Sequence, residues 1–235
     1  MSRYVLTRFR DSLELAGHVA QLWIEFIESR REAAICSIAL SGGRISTALY
    51  QSFVSKAFGR ELGNVHFFWA DERCVPPDHT DSNSSGAQIN LFKPLGVPGD
   101  RVHRIKGELP PPAVAAEATK EIVSTVPGSP LPQLDLVILG MGEDGHVASL
   151  FPNNTQCEKP ADVYCPVKGL KPPPDRVTLS YAMLSAATEV WVLISGPGKT
   201  EALRDSLALT GTTPLARVIQ NRPATCVFAE EANFA

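Results

Sequence analysis

The sequence predicts an α/β protein with one mostly parallel sheet and helices on both faces. Three observations carry that expectation. Short apolar runs alternate with stretches of helical periodicity along the whole chain, the order expected when crossover helices join parallel strands. Residues 33–58 spell out one complete βα unit, an apolar run, a Ser-Gly-Gly turn and an amphipathic stretch. The same pattern then recurs. At 235 residues and 44% apolar content, the chain can bury the core of such a sheet as a single domain over 1–235.

The elements follow in order. Asp11 and Ser12 can cap a first helix, whose face carries Leu15, Val19, Leu22, Trp23, Phe26 and Ile27 at i, i+4, i+7 spacing. A polar run at 28–32 ends it. Residues 33–40 read as a buried strand that breaks at Ser41-Gly42-Gly43, and helical spacing resumes over 46–58 through Leu49, Phe53 and Ala57. Residues 65–70 form a second strand, followed by a polar segment over 71–83 and a helix ending at Phe92. Prolines at 110–112 open another helix reaching about Val126, since proline suits a first helical turn. The most apolar strand, 134–139, runs into the glycine-rich Gly140 to Gly145. Prolines 160, 166 and 172–174 make 153–174 a loop. Strands at 176–180 and 189–195, a helix at 199–209 and a last strand at 224–229 complete the chain.

Composition excludes some function classes. The net charge is −3, from 22 basic and 25 acidic residues, so there is no general attraction to nucleic acid or an anionic membrane. Nothing approaches the ~18 consecutive apolar residues of a membrane span. Residues 1–10 hold three basic residues with no apolar run behind them, which is not a secretory signal; the expected location is the cytoplasm. The five cysteines, Cys36, Cys74, Cys157, Cys165 and Cys226, are scattered and form no CxxC pair. They read as ordinary thiols, with neither a disulfide framework nor a zinc site signalled.

In open α/β sheets, ligands bind beyond the carboxyl ends of the strands. Four strand ends here carry chemistry. Ser41-Gly42-Gly43-Arg44 lets the backbone turn sharply and points the next helix's positive end at an anion, with Arg44, Ser46 and Thr47 as further donors. By itself this is also what any tight βα turn looks like. Asp71-Glu72-Arg73 places three charges directly after an apolar strand; Arg73 suits a carboxylate or phosphate, and internal ion pairing is the alternative. Gly140-Met141-Gly142-Glu143-Asp144-Gly145-His146 is the strongest segment. Its glycines expose N–H groups to a developing oxyanion, and an imidazole titrates near neutrality, as a base taking a proton from water requires. Lys199, after Ser195-Gly196-Pro197-Gly198, stands where a cation opposes the helix macrodipole, so a bound anion accounts for it better than local stability does. Arg176 divides evenly between the site and the surface. His18, His66, His79 and His103 lack a comparable setting.

Taken together, these segments resemble the 6-phosphogluconolactonase family, within the wider group that includes glucosamine-6-phosphate deaminase. The resemblance runs from Leu40 to about Leu203. It is carried by Leu40-Ser41-Gly42-Gly43, by Trp69 to Pro76 with its Asp71-Glu72-Arg73, by Asp81-Ser82-Asn83, by Leu139 to His146 with Ala148 to Pro152, by Arg176-Val177-Thr178-Leu179, and by Gly196 and Lys199. It implies the modified Rossmann-like fold shared with the deaminases (NagB/RpiA-like), no metal or cofactor, and 6-phospho-D-glucono-1,5-lactone as substrate. It also implies that His146 activates water and that Arg73 and Lys199 bind substrate anions. Arg44-Ile45-Ser46 departs from the hydroxyl-rich sequence usual after Ser-Gly-Gly, and Val147 stands where threonine is usual. Arg44 would then be a charged replacement for a lost hydroxyl donor.

The expected reaction is hydrolysis of the lactone in the oxidative branch of the pentose phosphate pathway. Ser41, Gly42, Gly43, Arg44, Arg73, Arg176 and Lys199 would bind substrate and phosphate. His146, Asp144 and Asp71 would form the catalytic set, either acid serving to orient His146 or bind sugar hydroxyls. The expected partner is the phosphosugar lactone alone, with no nucleic acid and no membrane, the chain acting as a monomer or weak dimer. Two alternatives are a sugar-phosphate isomerase or deaminase and a non-catalytic sugar-phosphate sensor. Phe151, where the deaminase branch carries an acid, speaks against the first. The lack of a helix-turn-helix speaks against the second.

Overall fold

The computed structural model describes residues 3–234; Met1, Ser2 and Ala235, the ends of the domain expected over 1–235, lie outside the described residues. Nine strands and eight α-helices follow one another as β1 (Tyr4–Phe9), α1 (Ser12–Ser29), β2 (Cys36–Leu40), α2 (Arg44–Ala57), β3 (Val65–Trp69), β4 (Asp71–Arg73), α3 (Asn83–Ala87), α4 (Lys93–Leu95), α5 (Pro111–Thr125), β5 (Leu136–Gly140), β6 (Tyr164–Lys168), β7 (Asp175–Leu179), α6 (Tyr181–Ala186), β8 (Glu189–Ile194), α7 (Thr200–Leu207), α8 (Pro214–Gln220) and β9 (Thr225–Glu230). A π-helical turn, Gln88–Phe92, joins α3 to α4. Among the described residues, no helix is long and apolar enough to cross a membrane.

Six strands form a wholly parallel sheet in the order β1-β9-β8-β5-β2-β3. From β1 to β2 to β3 the chain steps toward one edge, and from β3 through β5 and β8 to β9 it steps back toward the other. With right-handed crossovers the two sets of connections lie on opposite faces, and α1 and α2 pack together on the first. The connections leaving β2 and β5 diverge although these strands are neighbours, paired at Ile38–Leu136 and Ala39–Val137. That is the switch point, where a ligand crevice opens. The central strands are largely apolar because both faces are covered: Cys36–Leu40 is buried at every position.

Two expectations about strands are corrected. Asp71 to Arg73 is not loop but strand β4, and 176–180 lies in no parallel sheet: β7 pairs antiparallel with β4 and with β6 in a separate three-stranded sheet, β4-β7-β6. The switch occurs at Ala70, whose N–H donates to Leu40 O at 2.7 Å while its carbonyl accepts from Leu179 N at 2.7 Å. One residue thus belongs to both sheets. The prolines of 153–174 suggested an unbroken loop, yet Pro166 lies within β6. As the sheet's edge strand, β6 can lose one N–H without losing a ladder bond.

The cysteine reading is also corrected. Cys157 and Cys165 form a disulfide across a sequence separation of 8, and Cys36, Cys74 and Cys226 are free. β1, α6 and α8 were not anticipated; the two helices are short, and their start is marked by the caps Ser180 and Thr213, which accept from Met183 N and Ala216 N.

Candidate active site

The four chemically marked strand ends meet in one cleft of about 200 Å³ at the switch point. Ser41 to Ile45 line it from the end of β2, Asp71 and Arg73 from β4, Gly140 to Gly142 and His146 from the turn after β5, and Ser195 and Lys199 from the end of β8. Arg176, left open between site and surface, is also in the lining and is buried. His18, His66, His79 and His103 are not. His66 Nδ1 lies 2.8 Å from His103 Nε2, and His103 Nδ1 lies 2.7 Å from Glu121.

The turn after β5 explains its own glycines. A Cβ on Gly142 would sit 2.1 Å from the Nδ1 and Cε1 atoms of His146, so only glycine lets the imidazole lie against the backbone. Gly145 has φ +78°, and a Cβ there would meet Thr213 at 2.6 Å. The turn closes through Gly142 N to His146 O at 2.9 Å and Gly145 N to Gly142 O at 3.1 Å. Leu215 N, in the first turn of α8, donates to Gly145 O at 3.1 Å. An unanticipated helix therefore pins the loop that carries His146.

Asp144 and Asp71 take different places. Asp144 Oδ1 lies 2.5 Å from His146 Nδ1. That hydrogen bond, outweighing partial burial, holds the Asp144 carboxyl down at about 2. Asp71 accepts from Ser149 Oγ at 2.6 Å and from Asn83 Nδ2 at 3.3 Å, and it is not bonded to His146. On its other side the His146 ring meets Phe151, centroids 4.9 Å apart, and the Arg176 guanidinium lies 5.6 Å from that same ring. Arg176 is held by the backbone carbonyls of Pro173 and Lys171.

The cationic end is built around α2. Gly43, with φ +99°, precedes the helix without a side-chain cap, so the first N–H groups of α2 are left to face an anion. Ser41 Oγ and Arg73 Nε are buried without a hydrogen-bond partner among the described residues. The Arg44 guanidinium reaches the loop after β8, 3.5 Å from where a Cβ on Gly196 would stand. Burial first, and then the charge of Arg44, pulls the Lys199 ammonium below its ordinary value. Arg44 and Lys199 thus bring two positive charges to the cleft lining, beside the start of α2.

Sequence reasoning quoted Asn83 and Ser149 within motifs without giving either a role; both are buried and bonded to Asp71.

Comparison with known proteins agrees with this geometry. The model of the glucosamine-6-phosphate isomerase/6-phosphogluconolactonase family matches residues 10–230. The chain belongs to this family. It is 36% identical to the 6-phosphogluconolactonase of Mycobacterium tuberculosis over 76% of this chain and 74% of that protein. It is 32% identical to the human 6-phosphogluconolactonase, covering 97% of this chain and 92% of that one. The solved 6-phosphogluconolactonase of Trypanosoma brucei superimposes with a TM-score of 0.85 at 28% identity, covering 99% of this chain and 98% of the other. The mostly parallel α/β fold expected from the sequence is the fold of these enzymes.

Proposed function

We propose that this chain hydrolyses 6-phospho-D-glucono-1,5-lactone to 6-phospho-D-gluconate, with His146 as the base. The observation that carries this reading is the 2.5 Å contact of His146 Nδ1 with Asp144 Oδ1 at the wall of a cleft whose far end is cationic. With its Nδ1–H donating a hydrogen bond to Asp144, the neutral imidazole keeps the Nε2 lone pair for water.

The steps balance as follows. Nε2 takes a proton from water, and the oxygen attacks C1 of the lactone. The oxyanion that forms is met by Arg73 or Arg176, which line the cleft. As C1–O5 breaks, the imidazolium returns its proton to the ring oxygen, and the new carboxylic acid ionises to solvent. Ser41, Gly42, Gly43, Arg44 and Lys199 hold the 6-phosphate, the helix end and the cations sharing its charge. Asp71 faces the sugar hydroxyls. A base of this kind contributes about 10²- to 10⁴-fold in rate, enough for a lactone that already opens slowly in water.

Residues 1–235 act as one domain in this reading. The substrate is a phosphate ester, whose charge keeps it from crossing a bilayer, which supports a cytoplasmic enzyme working where such esters are held. Exposed large apolar side chains such as Leu13, Phe58, Leu170 and Leu209 are far apart along the chain, which supports a monomer or weak dimer. The test is His146→Ala: hydrolysis of the lactone should fall to the spontaneous rate, and a rate well above that background would remove His146 from the mechanism.

A further inference from the structure

Asn83, in the Asp81-Ser82-Asn83 motif, has no part in the reaction described above, yet it lines the cleft while 6% exposed. Its amide orientation is settled by its partners. Nδ2 lies 2.8 Å from Asp71 O and 3.3 Å from Asp71 Oδ1. Both are acceptors, so only the NH₂ can face them. Oδ1 is therefore turned the other way, against the Ser41–Gly43 turn: a Cβ on Gly42 would stand 1.8 Å from it. Among the described residues no donor reaches this oxygen. An amide acceptor held open toward a cleft is left to water or to a ligand that supplies the donor.

The backbone of Asn83 is fixed just as firmly. Glu72, almost wholly buried, accepts from Asn83 N at 2.7 Å, Ser84 N at 2.8 Å, Arg73 N at 2.8 Å and Ser82 Oγ at 3.1 Å. One carboxylate thus ties the start of α3 to β4. Gly42 must be glycine to leave the Asn83 carbonyl its room.

We propose that Asn83 Oδ1 is the pocket's hydroxyl reader, accepting a hydrogen bond from one secondary ring hydroxyl of the lactone, with Glu72 as the residue that positions it. The cations of the cleft cannot make this choice, since a phosphate is common to all sugar phosphates. A fixed neutral acceptor can, because a lactone lacking that hydroxyl leaves the carbonyl unpaired. This inference rests on the lactonase reading and adds the element that selects among phosphorylated lactones.

The test compares 6-phosphogluconolactone with its 2-, 3- and 4-deoxy analogues, each corrected for spontaneous opening. With the unmodified enzyme, one deoxy analogue should lose about 10- to 100-fold in kcat/KM relative to the parent. In Asn83→Ala the parent should fall toward that analogue, bringing their ratio to within about 2-fold. The other two analogues keep their ratios to each other. In Glu72→Gln the same discrimination should weaken with KM rising more than kcat falls. A uniform loss across all four substrates with every ratio unchanged would make Asn83 structural and overturn the proposal. Should Asn83→Ala fail to fold, the unmodified enzyme still decides: no deoxy analogue losing more than about 2-fold overturns it as well. Failure of the lactonase reading itself is a different result, namely no hydrolysis of the parent lactone above background.

Discussion

Asp144 Oδ1 stands 2.5 Å from His146 Nδ1, while the other carboxylate at the site, Asp71, is taken up by Ser149 and Asn83. In the proposed mechanism Asp144 would fix the imidazole's tautomer and offset the positive charge it gains on taking a proton from water. Asp144→Asn keeps the shape and removes that charge. We expect kcat to fall about 10- to 100-fold with KM little changed, since the lost interaction grows in the transition state. Steady-state rates corrected for spontaneous opening measure it, and a kcat within about 2-fold of the unmodified enzyme would contradict the role.

The same pair leaves a mark on stability. The Asp144 carboxyl is held at about 2, below its ordinary 3.8. A depressed carboxyl stabilises the fold above its unfolded value and loses that contribution as pH falls through the folded one, here from about 4 to about 2. The side chain is 40% exposed, so screening reduces the contribution to below about 1 kcal/mol. Urea midpoints measured against pH should fall less steeply over this window in Asp144→Asn than in the unmodified protein.

Gly142→Ala puts a methyl group 2.1 Å from the His146 ring. The ring must turn away, breaking its contact with Asp144, while the fold around β5 has only a side chain to move. Activity should drop by at least about 100-fold for a stability loss of about 1–3 kcal/mol, the usual cost of overpacking. A thermal melt alongside the kinetics separates the two; near-normal activity would show that the ring does not need this position.

Arg44→Met and Lys199→Met each remove one cation from the phosphate end. A hydrogen bond to a charged group is worth about 1.5–3 kcal/mol, so KM for the phosphorylated lactone should rise by about 10- to 100-fold. Hydrolysis of unphosphorylated gluconolactone should hardly change. Equal losses on both lactones would show that these side chains shape the pocket rather than bind phosphate.

The Cys157–Cys165 bond closes a short loop ahead of β6. Its reduction should lower stability by about 2–3 kcal/mol on the chain-entropy account. Alkylation of the unfolded chain should modify three cysteines without reductant and all five with it, from the three free and two bonded residues. Five modified without reductant would mean that the bond does not form.

The parallel sheet, the positions of most of its strands and the importance of the four strand ends were legible in the residues, because each rests on local pattern. An apolar run such as 134–139 declares a buried strand, and glycines such as Gly142 and Gly145 declare a backbone that something approaches closely. The three-stranded sheet was not legible. β4 is three charged residues that become a strand only because β7 supplies their hydrogen bonds, and Pro166 looked like a breaker until β6 proved to be an edge. Nor did the residues reveal that Asp144, two positions away, rather than the distant Asp71, bonds His146, or that Asn83 turns one oxygen toward the Ser41–Gly43 turn. The sequence by itself determined the fold class and the chemical groups at the switch point, since periodicity and turn chemistry are properties of neighbours along the chain. Only the tertiary structure decided how those groups divide the work, because a hydrogen bond depends on ångström distances between strand ends that folding alone brings together.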